Sequence, residues 1–205
     1  MKTMAACLCI VGGILWGMKP LYDFVVIGRQ INTGYFASDW TDYVKFVFPL
    51  LCLGGIYIFH VLYSRKLKNP LLLLSAALVF NGLFHFFEIY FPDTGIPFGL
   101  LFLFSGTVLL AVGSFMLMRR ISFHKEIPRV LLWLTRTLFV VTLLFCLSPF
   151  LTGLFQEQFY TMMLISLMMA VGFIWAGIGG ALLAALQSKA DAADPHVENS
   201  QNRQL

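Results

Sequence analysis

Asn81, His85 and Glu88 follow one another at i, i+4 and i+7. At about 100° per residue they share one narrow face of a helix. In such a stripe Glu88 accepts from His85 while Asn81 orients either partner, an arrangement that carries protons or coordinates a ligand. A plainer role is open to the same residues. Glu88 then pairs with Lys45 or Lys19 at the same level, and His85 hydrogen-bonds inside a packed bundle. At about 1.5 Å per residue from Asn69, His85 lies about 24 Å and Glu88 about 28 Å along the helix.

His60 and Arg136 form a second polar layer near the opposite end. His60 precedes Arg65 by five residues and Arg136 follows Arg129 by seven, which puts both roughly 8–10 Å in. Arg136, between Thr135 and Thr137, either snorkels to headgroups or contacts an anionic headgroup or substrate in an inward cavity. No acid lies at that depth to serve as its counter-ion.

Other chemistry fails on geometry or composition. Two histidines that share a haem must reach one iron from similar depth, whereas His60 and His85 differ by about 16 Å. A di-metal carboxylate bundle needs several inward glutamates, and the spans hold one. Cys7, Cys9, Cys52 and Cys146 form no Cys-x-x-Cys pair and read as small packing residues. Nucleophile elbows, Walker loops and zincin motifs are absent. No catalytic residue, metal or cofactor is implied.

The elements that must position these residues are helices in lipid. Apolar residues make up 59% of the 205 and charged residues 12%, about half the charged share of a soluble domain. Apolar runs cover 4–18, 43–63, 70–91, 97–118, 130–154 and 159–186. About 20 apolar residues cross the roughly 30 Å of hydrocarbon. Five runs reach that length, and the first needs Lys2 and Lys19 to snorkel from its ends. The competing reading of that first run is a cleaved signal peptide, but Trp16-Gly17-Met18-Lys19-Pro20 is no small-residue cleavage site.

The fold class expected is an all-α polytopic integral membrane protein with short loops. Its six transmembrane helices are spans about 4–19, 43–64, 70–91, 97–118, 130–154 and 159–186, within one bundle over 1–186. Pro20–Asp42 forms the longest outer loop, with part of it on the headgroups. Residues 187–205 are polar, lack apolar periodicity and read as a disordered cytoplasmic tail.

Orientation follows from charge. With both termini cytoplasmic (N-in/C-in), the inner gaps hold Lys2, Arg65, Lys66, Lys68, Arg119, Arg120, Lys125, Arg129, Lys189 and Arg203. The outer gaps hold Lys19, Arg29 and Lys45. That is a positive-inside bias, and it suits a bacterial plasma membrane. The formal charge of +4 then reflects orientation and anionic lipid, not nucleic-acid binding.

Gly172, Ala176 and Gly180 repeat every four residues in the sixth run, and Gly99, Gly106 and Gly113 every seven in the fourth. Such faces let helices approach closely, within the bundle or against a partner. Sparse polar chemistry, small-residue faces and minimal loops point first to an accessory, assembly or sensory factor. It would act on a membrane-protein partner or as a homo-oligomer within the lipid bilayer. The alternative is a small carrier or channel for a solute or lipid. The third reading is an intramembrane lipid-modifying enzyme using His85 and Glu88.

Overall fold

The structure, a computed structural model, describes residues 1–33, 44–91, 95–124, 126–151 and 157–193. It is helical, with no strand among those residues: α1 (Lys2–Thr33), α2 (Val47–Leu51), α3 (Leu53–Tyr90), α4 (Gly95–Ser122), α5 (Arg129–Leu151) and α6 (Glu157–Ala193). Five segments are long and apolar enough to cross a bilayer: Lys2–Tyr22, Leu67–Tyr90, Gly99–Ser122, Arg129–Phe150 and Met162–Ala190. They are compatible with an integral membrane protein. A further apolar helix, Val47–Tyr63, is shorter.

α3 is two helices in sequence. The backbone leaves helical geometry at Tyr63 (φ −139°, ψ 23°), and the chain doubles back there. Lys45 Nζ lies 2.9 Å from Glu88 Oε2, and the Phe46 ring sits 5.8 Å from Phe86 and 6.3 Å from Tyr90. The turn that leads through α2 into the first arm therefore meets the end of the second arm. Leu67, fully buried beside the reversal, anchors the turn.

Consecutive rods pack antiparallel around a ring, which α1 and α6 close. Phe115 of α4 meets Phe139 of α5 at 5.3 Å, and Gly177 of α6 faces Leu134 of α5. Ala5 and Cys9 of α1 face Gly54 and Gly55, while Ala6 faces Gly179. The start of α1 and the far part of α6 thus lie at one end of the bundle.

Two expectations about element ends are corrected. α1 does not stop at Lys19 with a loop from Pro20, but runs on to Thr33 with Pro20 inside it. Proline removes one i→i−4 bond, and the apolar stretch Leu21–Ile27 remains able to stay helical until the Asn32-Thr33-Gly34 turn signal. Lys19, expected at a span end, is buried within the helix, its ammonium 5.6 Å from the Tyr22 ring. The rest of the expected outer loop, 34–42, lies outside the described residues. α6 likewise continues past Leu186 to Ala193, because Gln187–Ala193 contains no Gly or Pro to stop it. The remainder of the expected tail, 194–205, lies outside the described residues, as do 152–154 of the fifth expected span.

Trp175, Phe59, Ile58, Leu74, Leu78, Leu138 and Leu182 form the buried centre. Facing outward are Trp133, Phe150, Phe104, Leu100 and Leu101, all exposed. Fewer than a third of the residues in the Arg129–Phe150 segment are buried in the bundle, and half are exposed. A continuous apolar exterior of that kind is stable in lipid and costly in water.

Candidate functional site

The second arm of α3 carries the polar stripe, and its neighbours decide what each member touches. Asn81 and His85 point into the ring, with 6% and 8% of their surface exposed. Glu88 lies one turn further out with its side chain 43% exposed. Its Oε2 takes His85 Nδ1 at 3.3 Å and Lys45 Nζ at 2.9 Å. The ion pair and the histidine contact therefore coexist on one carboxylate oxygen. Lys45, in the turn before α2, has a side chain only 14% exposed, so it brings charge to the edge of the bundle.

Asn81 stands apart from this cluster. Its Nδ2 donates to the Ala77 carbonyl at 2.9 Å, so it bonds its own helix and bridges neither His85 nor Glu88. Space for the amide comes from Gly106 on α4, where an added Cβ would lie 2.8 Å from Nδ2.

Asn81 and His85 open onto a cavity at the ring's centre. Trp16 of α1, Leu103, Thr107 and Leu110 of α4, Thr142 and Phe145 of α5, and Met168 and Val171 of α6 complete its wall. The space open to a water's centre is about 30 Å³, enough for one or two waters. Thr107 Oγ1 donates to the Leu103 carbonyl at 2.7 Å, and Thr142 Oγ1 to the Leu138 carbonyl at 2.8 Å. Each hydroxyl thus spends its proton on its own helix, the usual way such residues sit in apolar helices. Their oxygen lone pairs remain as acceptors.

A second, wider space of about 340 Å³ lies between α4 and α5, reaching Leu164 of α6. Leu103, Thr107 and Phe145 line both spaces. The cleft and the central cavity are therefore separated by one layer of side chains.

The other sequence candidates lie elsewhere. Arg136 is exposed on α5, its guanidinium 5.5 Å from the Trp133 ring centroid. That aromatic face supplies the neighbour that no acid provides. His60 is exposed on the first arm of α3. Gly172 and Ala176 lie against Gly13 of α1, whereas nothing stands within 4 Å of a Cβ added at Gly180. Among the described residues no three His, Cys, Asp or Glu side chains gather.

Thr107, Thr142 and Trp16 were not singled out from sequence. Threonine is so common in apolar helices that its presence carries no signal, and only the neighbour Gly106, in the seven-residue glycine repeat, pointed toward a close helix contact there. No protein-family model, no curated protein and no solved structure matches this chain.

Proposed function

We propose that the chain crosses a bacterial plasma membrane six times with both ends in the cytoplasm. In that membrane it acts as a non-enzymatic accessory, assembly or sensory factor on a membrane-protein partner or a second copy of itself. Val47–Tyr63 counts as a crossing because it runs antiparallel to Leu67–Tyr90. The Lys45–Glu88 pair ties its start to the far end of that longer helix. Lys2, Lys68, Arg119, Arg120, Arg129 and Lys189 cluster at the end shared by the start of α1 and the far part of α6, against Lys19 and Lys45 at the other. The positive-inside rule makes that end cytoplasmic. Reporter fusions at the two termini are expected to report the same, cytoplasmic side; opposite sides would overturn the topology.

One observation carries the accessory role. Asn81, His85, Thr107 and Thr142 turn inward around a cavity of about 30 Å³, walled otherwise by Trp16, Leu103, Leu110, Phe145, Met168 and Val171. A solute larger than water does not fit there, and a nucleophile paired with a base is absent from the wall. What the molecule offers its surroundings is an apolar helical surface. Affinity purification in mild detergent is expected to recover a membrane protein in stoichiometric amount. Recovery of the chain alone, with solute uptake in liposomes, would replace this reading with a carrier.

The stripe supplies a second test. His85→Ala and Glu88→Ala are expected to impair complementation of a deletion strain more than Arg136→Lys, because both break the shared contact at Oε2. Arg136→Lys keeps a cation on an outward face. Equal tolerance of all three would remove the stripe from the functional account.

A further inference from the structure

The central cavity and the α4–α5 cleft ask for different halves of one ligand. The cleft is walled by Leu100, Leu103, Phe104, Phe145 and Leu164, with Cys146, Pro149 and Ser148 beside them, the Ser148 hydroxyl donating to the Phe145 carbonyl at 2.7 Å. It holds no Lys, Arg, Asp or Glu. Leu100, Phe104 and Pro149 are exposed on its rim, so the cleft opens sideways, toward where acyl chains lie in a bilayer. Its volume of about 340 Å³ corresponds to roughly ten or more water volumes, the scale of a flexible hydrocarbon chain.

At the inner wall the chemistry changes. Thr107 and Thr142, 7% and 1% exposed, have each donated their proton to a carbonyl of their own helix. Two acceptor oxygens with no proton of their own to offer therefore line one cavity, and Asn81 and His85 bring an amide and an imidazole to the same wall. A carboxylate or phosphate head is disfavoured there, since it would meet threonine lone pairs and no Lys or Arg lines the cavity. A ketone or ester carbonyl cannot donate to the threonines. A hydroxyl can both donate to a threonine oxygen and accept from an N–H. The cavity of about 30 Å³ has room for a hydroxyl and little more.

We propose that the α4–α5 cleft binds a single-chain lipid with one terminal hydroxyl, its tail in the cleft and its hydroxyl between Thr107 and Thr142. Entry is lateral from the membrane and needs rotation of Leu103 and Phe145, which together with Thr107 line both spaces. The site goes beyond the accessory role proposed above, since ligand binding here does not depend on which membrane protein the chain engages.

The test uses the full chain in phosphatidylcholine nanodiscs and a hexadecanol bearing a photoreactive diazirine near its methyl end. Labelling is expected to be saturable and to map to the cleft residues Leu100–Thr107, Phe145–Pro149 and Leu164. Unlabelled hexadecanol is expected to compete about tenfold better than hexadecyl methyl ether or palmitate, the size of one lost hydrogen bond. Thr107→Val and Thr142→Val each remove an acceptor at constant shape and are expected to erase that preference. Cys146→Trp is expected to fill the cleft and abolish labelling. Equal competition by the ether would overturn the proposal, as would labelling that falls equally on the outward residues Trp133 and Val140. The ether comparison is made on the unaltered protein, so it decides the matter even where a substitution unfolds the bundle.

Discussion

Gly172→Val is expected to prevent α1 and α6 from closing the ring. A Cβ on Gly172 would lie 2.6 Å from the Gly17 α-carbon and 2.7 Å from the Gly13 carbonyl oxygen, with the Gly17 nitrogen closer still. From the other side, a Cβ on Gly13 would lie 2.6 Å from the Gly172 carbonyl oxygen. Both obstacles are backbone, so no side-chain rotation relieves them and the helices must part. In lipid the attraction between helices comes mainly from close packing, which is what separation removes. The cost is expected at about 3 kcal/mol or more, at the upper end for overpacking. Gly180→Ala is the control. Its Cβ meets nothing within 4 Å, so the better helix propensity of alanine should raise stability by up to about 1 kcal/mol. Unfolding in mixed dodecyl sulfate micelles, followed by circular dichroism, reads both. Similar midpoints for the two variants would contradict the α1–α6 seam.

Trp175→Ala is expected to cost about 3–5 kcal/mol, as for other fully buried large side chains. Trp175 is 0% exposed, its ring reaches Gly55, and its carbonyl accepts from the Cys9 thiol at 3.4 Å. The residue therefore joins α6 to both α1 and the first arm of α3. Its indole Nε1 makes no hydrogen bond among the described residues. Burying an unmatched donor costs about 1–3 kcal/mol, so Trp175→Phe recovers part of what the smaller ring loses. The phenylalanine variant should unfold much closer to the parent than the alanine variant does. Equal losses in the two would mean that ring volume does not set the cost and that the indole N–H itself holds the seam, contrary to its lack of a partner among the described residues.

The stripe illustrates how far helical spacing reaches. Counting places Asn81, His85 and Glu88 on one face, and leaves Glu88 either accepting from His85 or pairing with a lysine such as Lys45. The structure brings both alternatives to the same oxygen, with His85 and Lys45 on Glu88 Oε2. Counting could not separate Asn81 from the other two, because that depends on its bond to Ala77 and on the room left by Gly106. Nor could it show Thr107 and Thr142 facing Asn81, since a threonine in an apolar run looks the same whether it faces lipid or the core.

The chain by itself determined that the molecule is helical, where most apolar segments begin, and which gaps are rich in positive charge. These are local properties: hydropathy is summed over neighbours in sequence, and loop charge is counted directly. It misjudged the end of α1, because proline weakens a helix without always ending it. Tertiary structure alone decided that the ring closes through Gly13 and Gly172, that four helices besides α3 wall a cavity beside Asn81, and that a cleft adjoins it. In a bilayer both faces of a helix are apolar, so hydrophobic periodicity cannot tell the packed face from the lipid face. That distinction rests on shape, and shape arises only when the helices meet.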